Sequence, residues 1–262
     1  MKDFLNKRWA DILQHNGLVD FDAFWNISAG WFEEPNQRRG GWSGVSRCEL
    51  PMPTQGACAV FLKRQENHKT FSWRHPIKGI PTFLREFQLI LHYKACAIPA
   101  LEPIYFAMRA VDGGHRAILM TEELSGFASI ESHVQAWLKN GFPPAKDRRK
   151  YLEAIAALSG NIHENKIQHN CYYPKHIFIR MSPDGRVEAR VIDLEKSRRR
   201  PFSLMCTLRD LDTLNRHAPE WKRSDRLWFL KSYLQIPRLT PYAKWLWRRL
   251  AARARLKSSA RT

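Results

Sequence analysis

Apolar positions in the first half of the chain come in short, strand-length runs, and from Ser129 onward they recur mainly at helical spacing. Val45, with alternating neighbours, follows Gly40, Gly41 and Gly44 and predicts a strand; residues 57–65 predict a second, with Lys63 near its end. Phe83, Phe87 and Leu91 stand at i, i+4 and i+8 after Pro81 and predict a helix, on which Glu86 is the acid. Residues 104–111 and 117–120 predict two further strands joined by the turn Asp112-Gly113-Gly114. Two helices follow, 129–138 and 145–165, the second with Tyr151, Ile155, Leu158 and Ile162 on one face. Residues 168–195 then read as a polar loop, a strand at 176–179, a turn at Ser182-Pro183-Asp184-Gly185 and a strand at 187–192, with Asp193 where the apolar run stops. Stretches 204–214, 225–234 and a basic run from Pro241 complete the chain as helices. The pattern predicts an α+β chain. Residues 1–37, with Phe4, Trp9, Ile12 and Leu13 in short amphipathic pieces, read as an N-terminal extension. Residues 38–124 read as an antiparallel sheet with one main helix, 125–240 as a mostly helical part, and 241–262 as a basic terminal helix.

Chemical groups are strung on these elements in the order of a phosphotransferase of the protein-kinase type. Gly40, Gly41 and Gly44 would let the backbone approach nucleotide phosphates, although GGxxG is an incomplete G-x-G-x-x-G and also suits a plain hairpin turn. Lys63 stands like the strand lysine that holds the α- and β-phosphates, and Glu86 would pair with it unless it is solvated beside Arg85. Glu122 to Leu124 fall where backbone groups would meet an adenine. In the kinase loop H-R-D-x-x-x-x-N the Asp takes the proton and the Asn binds a second metal. The matching eight residues run from His169 to His176, which puts Cys171 at the base position and His176 at the second metal position, and Asp193 follows as the metal-holding acid. A thiol of ordinary pKa near 8.5 and soft ligand character replaces the carboxylate poorly. His169 is then the alternative proton acceptor, or a structural residue bonded to backbone near Asp193. Asp210 and Asp212 either brace this loop from a neighbouring helix or form a surface pair.

Composition adds the partner. A net charge of +18 calls for anionic surroundings, and from Lys222 onward twelve Lys and Arg face the single acid Asp225. Trp245, Trp247 and Leu250 among those cations suit an anionic bilayer interface, or else a packing helix with a basic outer face. Nucleic acid would explain the charge but no recognition motif for it is visible. No apolar run reaches 18 residues and the first residues are too polar for a signal peptide, which points to the cytoplasm. The five cysteines lie far apart without a CxxC pair and read as reduced thiols.

The stretches RRGGWSGVSR, PTFLREF with Glu86, HNCYYPKHIFI and VIDLEKSR, together with Lys63, resemble the lipopolysaccharide core kinases, which phosphorylate heptose or Kdo sugars, and especially their InaA-like members. The resemblance spans residues 38–200. It implies a bilobal protein-kinase-like fold, ATP with Mg²⁺ as phosphoryl donor, and a lipid-linked core sugar as acceptor, met at the cytoplasmic face of the inner membrane. It assigns phosphate contact to Lys63, its ion pair to Glu86 and metal binding to Asp193. Cys171 stands where that family has Asp. The expected function is therefore phosphorylation of a sugar hydroxyl on a core glycolipid, the alternative being a pseudokinase-like module that binds nucleotide or glycolipid and regulates.

Overall fold

The alternation along 41–51 is a clean one: Gly44, Ser46, Cys48 and Leu50 turn inward while Arg47, Glu49 and Pro51 face solvent, as one half-buried strand requires. The computed structural model describes residues 2–38, 40–72, 75–111 and 114–259. It divides into two units, Met1–His92 with Leu101–Ser125, and Tyr93–Ala100 with Gly126–Thr262.

The first unit runs β1 (Phe4–Leu5), α1 (Ala10–His15), α2 (Phe21–Trp25), β2 (Trp31–Arg38), β3 (Gly41–Pro51), β4 (Ala57–Glu66), β5 (Lys69–Ser72), β6 (His75–Pro81), α3 (Thr82–Ala95, whose last residues belong to the second unit), β7 (Pro103–Val111) and β8 (Gly114–Glu122). Among the described residues six strands form one antiparallel sheet in the order β1-β7-β8-β4-β3-β2. Of the expected turn at 112–114, Asp112 and Gly113 lie outside the described residues, and Gly114 opens β8. The two faces of the sheet carry different layers. Val60, Leu62, Ile118 and Met120 share one core with Trp9, Leu13, Leu18, Phe21 and Phe24. On the other face Phe87 of α3 stacks on Phe106 at 4.4 Å between ring centroids.

Residues 1–37 are thus no appended extension: β1 pairs with β7, and the two short helices supply one of the sheet's two covering layers. The cause is the pleat, since a strand with apolar residues on both faces must bury both. Phe24 lies flat on Tyr105 at 3.9 Å.

The second unit continues β9 (Ala128–Ser129), α4 (Ile130–Asn140), α5 (Ala145–Glu164), β10 (Ile167–Gln168), β11 (Ile177–Met181), β12 (Val187–Val191), β13 (Arg198–Arg199), α6 (Ser203–Arg216), α7 (Arg223–Tyr233) and α8 (Pro241–Ser259). The expected hairpin is β11–β12, closed by bonds between Ser182 and Arg186 and between Gly185 and Ser182, with Gly185 at φ +77°. That left-handed backbone is why glycine stands there. His176 is not part of the strand; it ends a short 3₁₀ turn before it. The α5 face expected from Ile155, Leu158 and Ile162 is buried, with Leu152 completing it while Tyr151 sits at the edge. Of the two alternatives for the terminal helix, most of its apolar face follows the packing one. Ala243 and Leu246 are fully buried, and Trp247 and Leu250 line a cavity of about 260 Å³ together with Leu211, Leu214, Trp221 and Phe229. Of the expected apolar face, Trp245 alone is exposed. Among the described residues no helix is long and apolar enough to cross a membrane.

The layered first unit predicts that Phe24→Ala costs about 3–5 kcal/mol in denaturant unfolding, as for a buried aromatic of any core. A cost below about 1 kcal/mol would return residues 1–37 to the status of an appendage.

Candidate active site

Strand parity brings Lys63 to Glu86. On β4, Val60 and Leu62 point to the N-terminal layer, so Lys63 and Gln65 do not share their face. Gln65 anchors the start of α3: its Nε2 donates to His68 O at 2.6 Å and its Oε1 accepts from Phe83 N–H at 2.8 Å. Glu86 is one helical turn further on, 3% exposed, and its Oε1 accepts from Lys63 Nζ at 2.6 Å. The buried stripe of α3 is Phe83, Glu86, Phe87 and Ile90, with Leu91 half-buried at its margin. Losing one partner of such a buried pair typically costs 3–5 kcal/mol, so the lysine is held in place rather than free to roam.

The glycines divide by role. Gly40 has φ +79° at the β2–β3 turn, with open space where a side chain would be. A side chain on Gly41 would collide with the Glu66–His68 backbone, and one on Gly44 would meet the Trp31 ring at 2.6 Å. The sheet backbone therefore requires glycine at 41 without any ligand to account for it, while at 44 the neighbour is the outer edge of the exposed Trp31 ring. Glu122 N–H donates to Glu102 O at 3.0 Å and Glu123 N–H to Ala59 O at 3.1 Å, so those two amides are spent within the unit. Among the described residues Leu124 is the one of the three whose amide is given no such bond. Ion pairs from Arg47 to Glu123 and Glu49 flank this segment.

The loop from His169 is organised by Asp210. This carboxylate on α6 is fully buried and accepts from His169 N–H at 2.6 Å and Asn170 N–H at 3.0 Å, with His163 Nε2 at 3.4 Å. Asn170 takes φ +65°, a conformation asparagine tolerates better than most residues, and its Nδ2 donates to Lys196 O at 2.8 Å. Tyr172 is fully buried with its hydroxyl bonded to Ser159 at 2.7 Å. The His169 ring has both nitrogens engaged. Cys171 N–H donates to Nδ1 at 3.2 Å, which leaves the ring hydrogen on Nε2, directed at Ile192 O 3.0 Å away. Burial also pushes its pKa down, against the pull of Asp210 and Asp193. The expectation that His169 accepts the acceptor's proton is therefore corrected: its lone pair is occupied, and it ties the loop to the end of β12.

Cys171 is likewise not a base. Burial pushes its thiol above the ordinary range, the charge of Asp193 adds to this, and Lys196 partly opposes it. The thiol stays protonated at neutral pH beside the Asp193 carboxylate. Asp193 itself is in the left-handed region at φ 58°, ψ 58°, where the strand ends and a 3₁₀ turn over Leu194–Lys196 begins. Its side chain is 34% exposed, with His176 Nδ1 at 3.4 Å.

This donor set fits Mg²⁺ of the kind that arrives with a nucleotide, which takes one or two carboxylates and completes its shell with water and phosphate oxygens. It does not fit a closed protein cage, for no cluster of three ligating residues occurs among the described residues. His176 is a correction within that set. Its Nδ1 donates to Cys171 O at 2.8 Å, so the ring shapes the loop, and its other nitrogen is a donor type that hard Mg²⁺ disfavours. Lys196 and Asn170 had no role in the sequence reading. Asp210 carried a weak signal, a lone acid on the stripe of Cys206, Leu211 and Leu214.

Comparison with known proteins agrees with this geometry. The model of the lipopolysaccharide kinase (Kdo/WaaP) family matches residues 22–233. Protein InaA of Escherichia coli is 33% identical over 183 residues, 69% of this chain and 80% of that protein. Lipopolysaccharide core heptose(I) kinase WaaP of Pseudomonas aeruginosa is 26% identical over 185 residues, 65% of this chain and 68% of that one. A solved structure described as WaaP in complex with acyl carrier protein aligns over 99% of both chains with a TM-score of 0.70 at 21% identity, a likeness of fold. The protein-kinase-like α+β fold read from the sequence is the fold found, and the chain belongs to the lipopolysaccharide kinase (Kdo/WaaP) family.

Proposed function

We propose that the protein transfers the γ-phosphoryl group of ATP to a sugar hydroxyl of a lipopolysaccharide-core glycolipid. The observation that carries this reading is the buried Lys63–Glu86 pair, which fixes an ammonium on the sheet at the position where kinases hold nucleotide phosphates. In this account Lys63 binds phosphate oxygens, Glu86 orients it, and Asp193 offers a carboxylate to the magnesium that accompanies ATP. Magnesium when bound would neutralise charge on the transferring group. The backbone at Leu124 remains open to an adenine. The sugar acceptor rests on the likeness to a core heptose kinase, and a lipid-linked acceptor together with ATP places the work at the cytoplasmic face of a membrane.

The missing carboxylate bears on rate. Phosphoryl transfer passes through a loose transition state, in which the attacking hydroxyl keeps most of its proton until late. Positioning and charge neutralisation then carry most of the acceleration, and a neutral thiol at 171 leaves the proton to solvent or to a non-bridging oxygen of the transferred phosphoryl group.

Two outcomes are expected. Mg²⁺-dependent ATP binding, read as a thermal shift, is lost in Lys63→Met and in Asp193→Asn. Because Lys63→Met strands the buried Glu86, the double variant Lys63→Met/Glu86→Gln serves as the folded control and still fails to bind. ATP shifts of wild-type size in both would remove the nucleotide reading. Cys171→Asp restores a carboxylate base and raises Mg²⁺-dependent phosphate turnover by about 10²-fold, the lower end of general-base effects. A fall in turnover would mean that the thiol is itself part of the working machinery.

A further inference from the structure

The basic terminal helix buries Ala243 and Leu246 and keeps Tyr242 and Trp245 exposed, and a +18 protein has room for a further anionic contact elsewhere. Residues 198–205, Arg-Arg-Arg-Pro-Phe-Ser-Leu-Met, provide one. β13 pairs antiparallel with β10, setting Arg198 opposite Gln168 and Arg199 opposite Ile167, so the cations stand beside the residue that precedes His169. Arg198 and Arg199 are exposed and have no ion pair among the described residues. Arg200 Nε donates to the uncharged Gln168 Oε1 at 2.6 Å, which locks the segment to the loop while leaving its charge uncompensated.

Directly after the arginines come three large apolar side chains in water: Phe202 at 68% exposure, Leu204 at 38% and Met205 at 43%. Helix periodicity explains why they are outside. The buried stripe of α6 is Cys206, Thr207, Asp210, Leu211 and Leu214, and positions 204 and 205 fall off it before the helix turns inward. Adjacent apolar side chains standing in solvent mark an interaction surface, and arginines beside them select its chemistry. Cations hold anionic headgroups while aromatic and aliphatic side chains enter the headgroup–acyl boundary.

We propose that residues 198–205 rest on an anionic lipid bilayer and so present a lipid-linked acceptor to the loop at 169–176. The bilayer contact follows from charge and exposure alone; the presentation of an acceptor rests on the kinase reading above.

Cosedimentation of the full chain with vesicles of phosphatidylglycerol and phosphatidylcholine, against pure phosphatidylcholine, tests it. Wild type is expected on the anionic vesicles only, with binding that weakens as salt rises. Arg198→Gln/Arg199→Gln should weaken it by roughly tenfold or more and flatten the salt dependence. Phe202→Ser/Leu204→Ser/Met205→Ser should weaken it similarly while leaving the salt dependence in place. All five positions face solvent, so circular dichroism and the Mg²⁺-ATP thermal shift should match wild type. Undiminished vesicle binding in both variants would overturn the proposal, as would capture of an acidic protein through these residues without any vesicle binding. Vesicle binding through these residues by a wild type that fails to bind ATP would support the surface and count against the kinase reading alone.

Discussion

A carboxylate buried without a lysine or arginine beside it is costly, and Asp210 is stable because two backbone amides, those of His169 and Asn170, point at its oxygens. Much of the second unit's chemistry follows from that contact. With His169 N–H held by α6, its ring lies between the Cys171 amide and the Ile192 carbonyl. The loop is thereby tied to the end of β12, and Asp193, next in the chain, emerges beside the Cys171 thiol in a left-handed turn. The first unit has its counterpart in Lys63 and Glu86, where a carboxylate 3% exposed is satisfied by an ammonium. In both cases one buried acid converts flexible groups into fixed ones.

The loop keeps the architecture of a phosphotransferase while lacking its proton acceptor. Cys171 is protonated, His169 has no free lone pair, and the His176 Nδ1 is committed to the loop's own backbone. In the proposed reaction, what remains are groups that would place and neutralise charge, which is where most of the rate of phosphoryl transfer comes from.

Strand parity and helical spacing make Lys63, Glu86, the β11–β12 hairpin and Asp193 legible in the sequence, because each depends on local period and short turns. The N-terminal layer was not legible. Its helices have six and five residues, too short to show a period, and their burial depends on a sheet face formed by strands up to about a hundred residues away. Gly41 looked like a ligand-approach position, yet the sheet backbone demands it, and Gly44 packs under the Trp31 ring, contacts that sequence spacing cannot display. The terminal helix stayed open between lipid and packing for a related reason. An apolar stripe among cations is the same pattern whether it faces lipid or, as with Leu246, Trp247 and Leu250, neighbouring protein. Asp210 was undecided between brace and surface because periodicity reports which face a residue is on, not which amides await it.

Transfer of phosphate to a core sugar is tested directly by following label from γ-labelled ATP into purified, dephosphorylated core glycolipid with Mg²⁺ present. Label is expected on the glycolipid's sugar, covalently attached, and absent when Mg²⁺ is withheld. A folded protein that binds Mg²⁺-ATP and leaves every core acceptor unlabelled would contradict it.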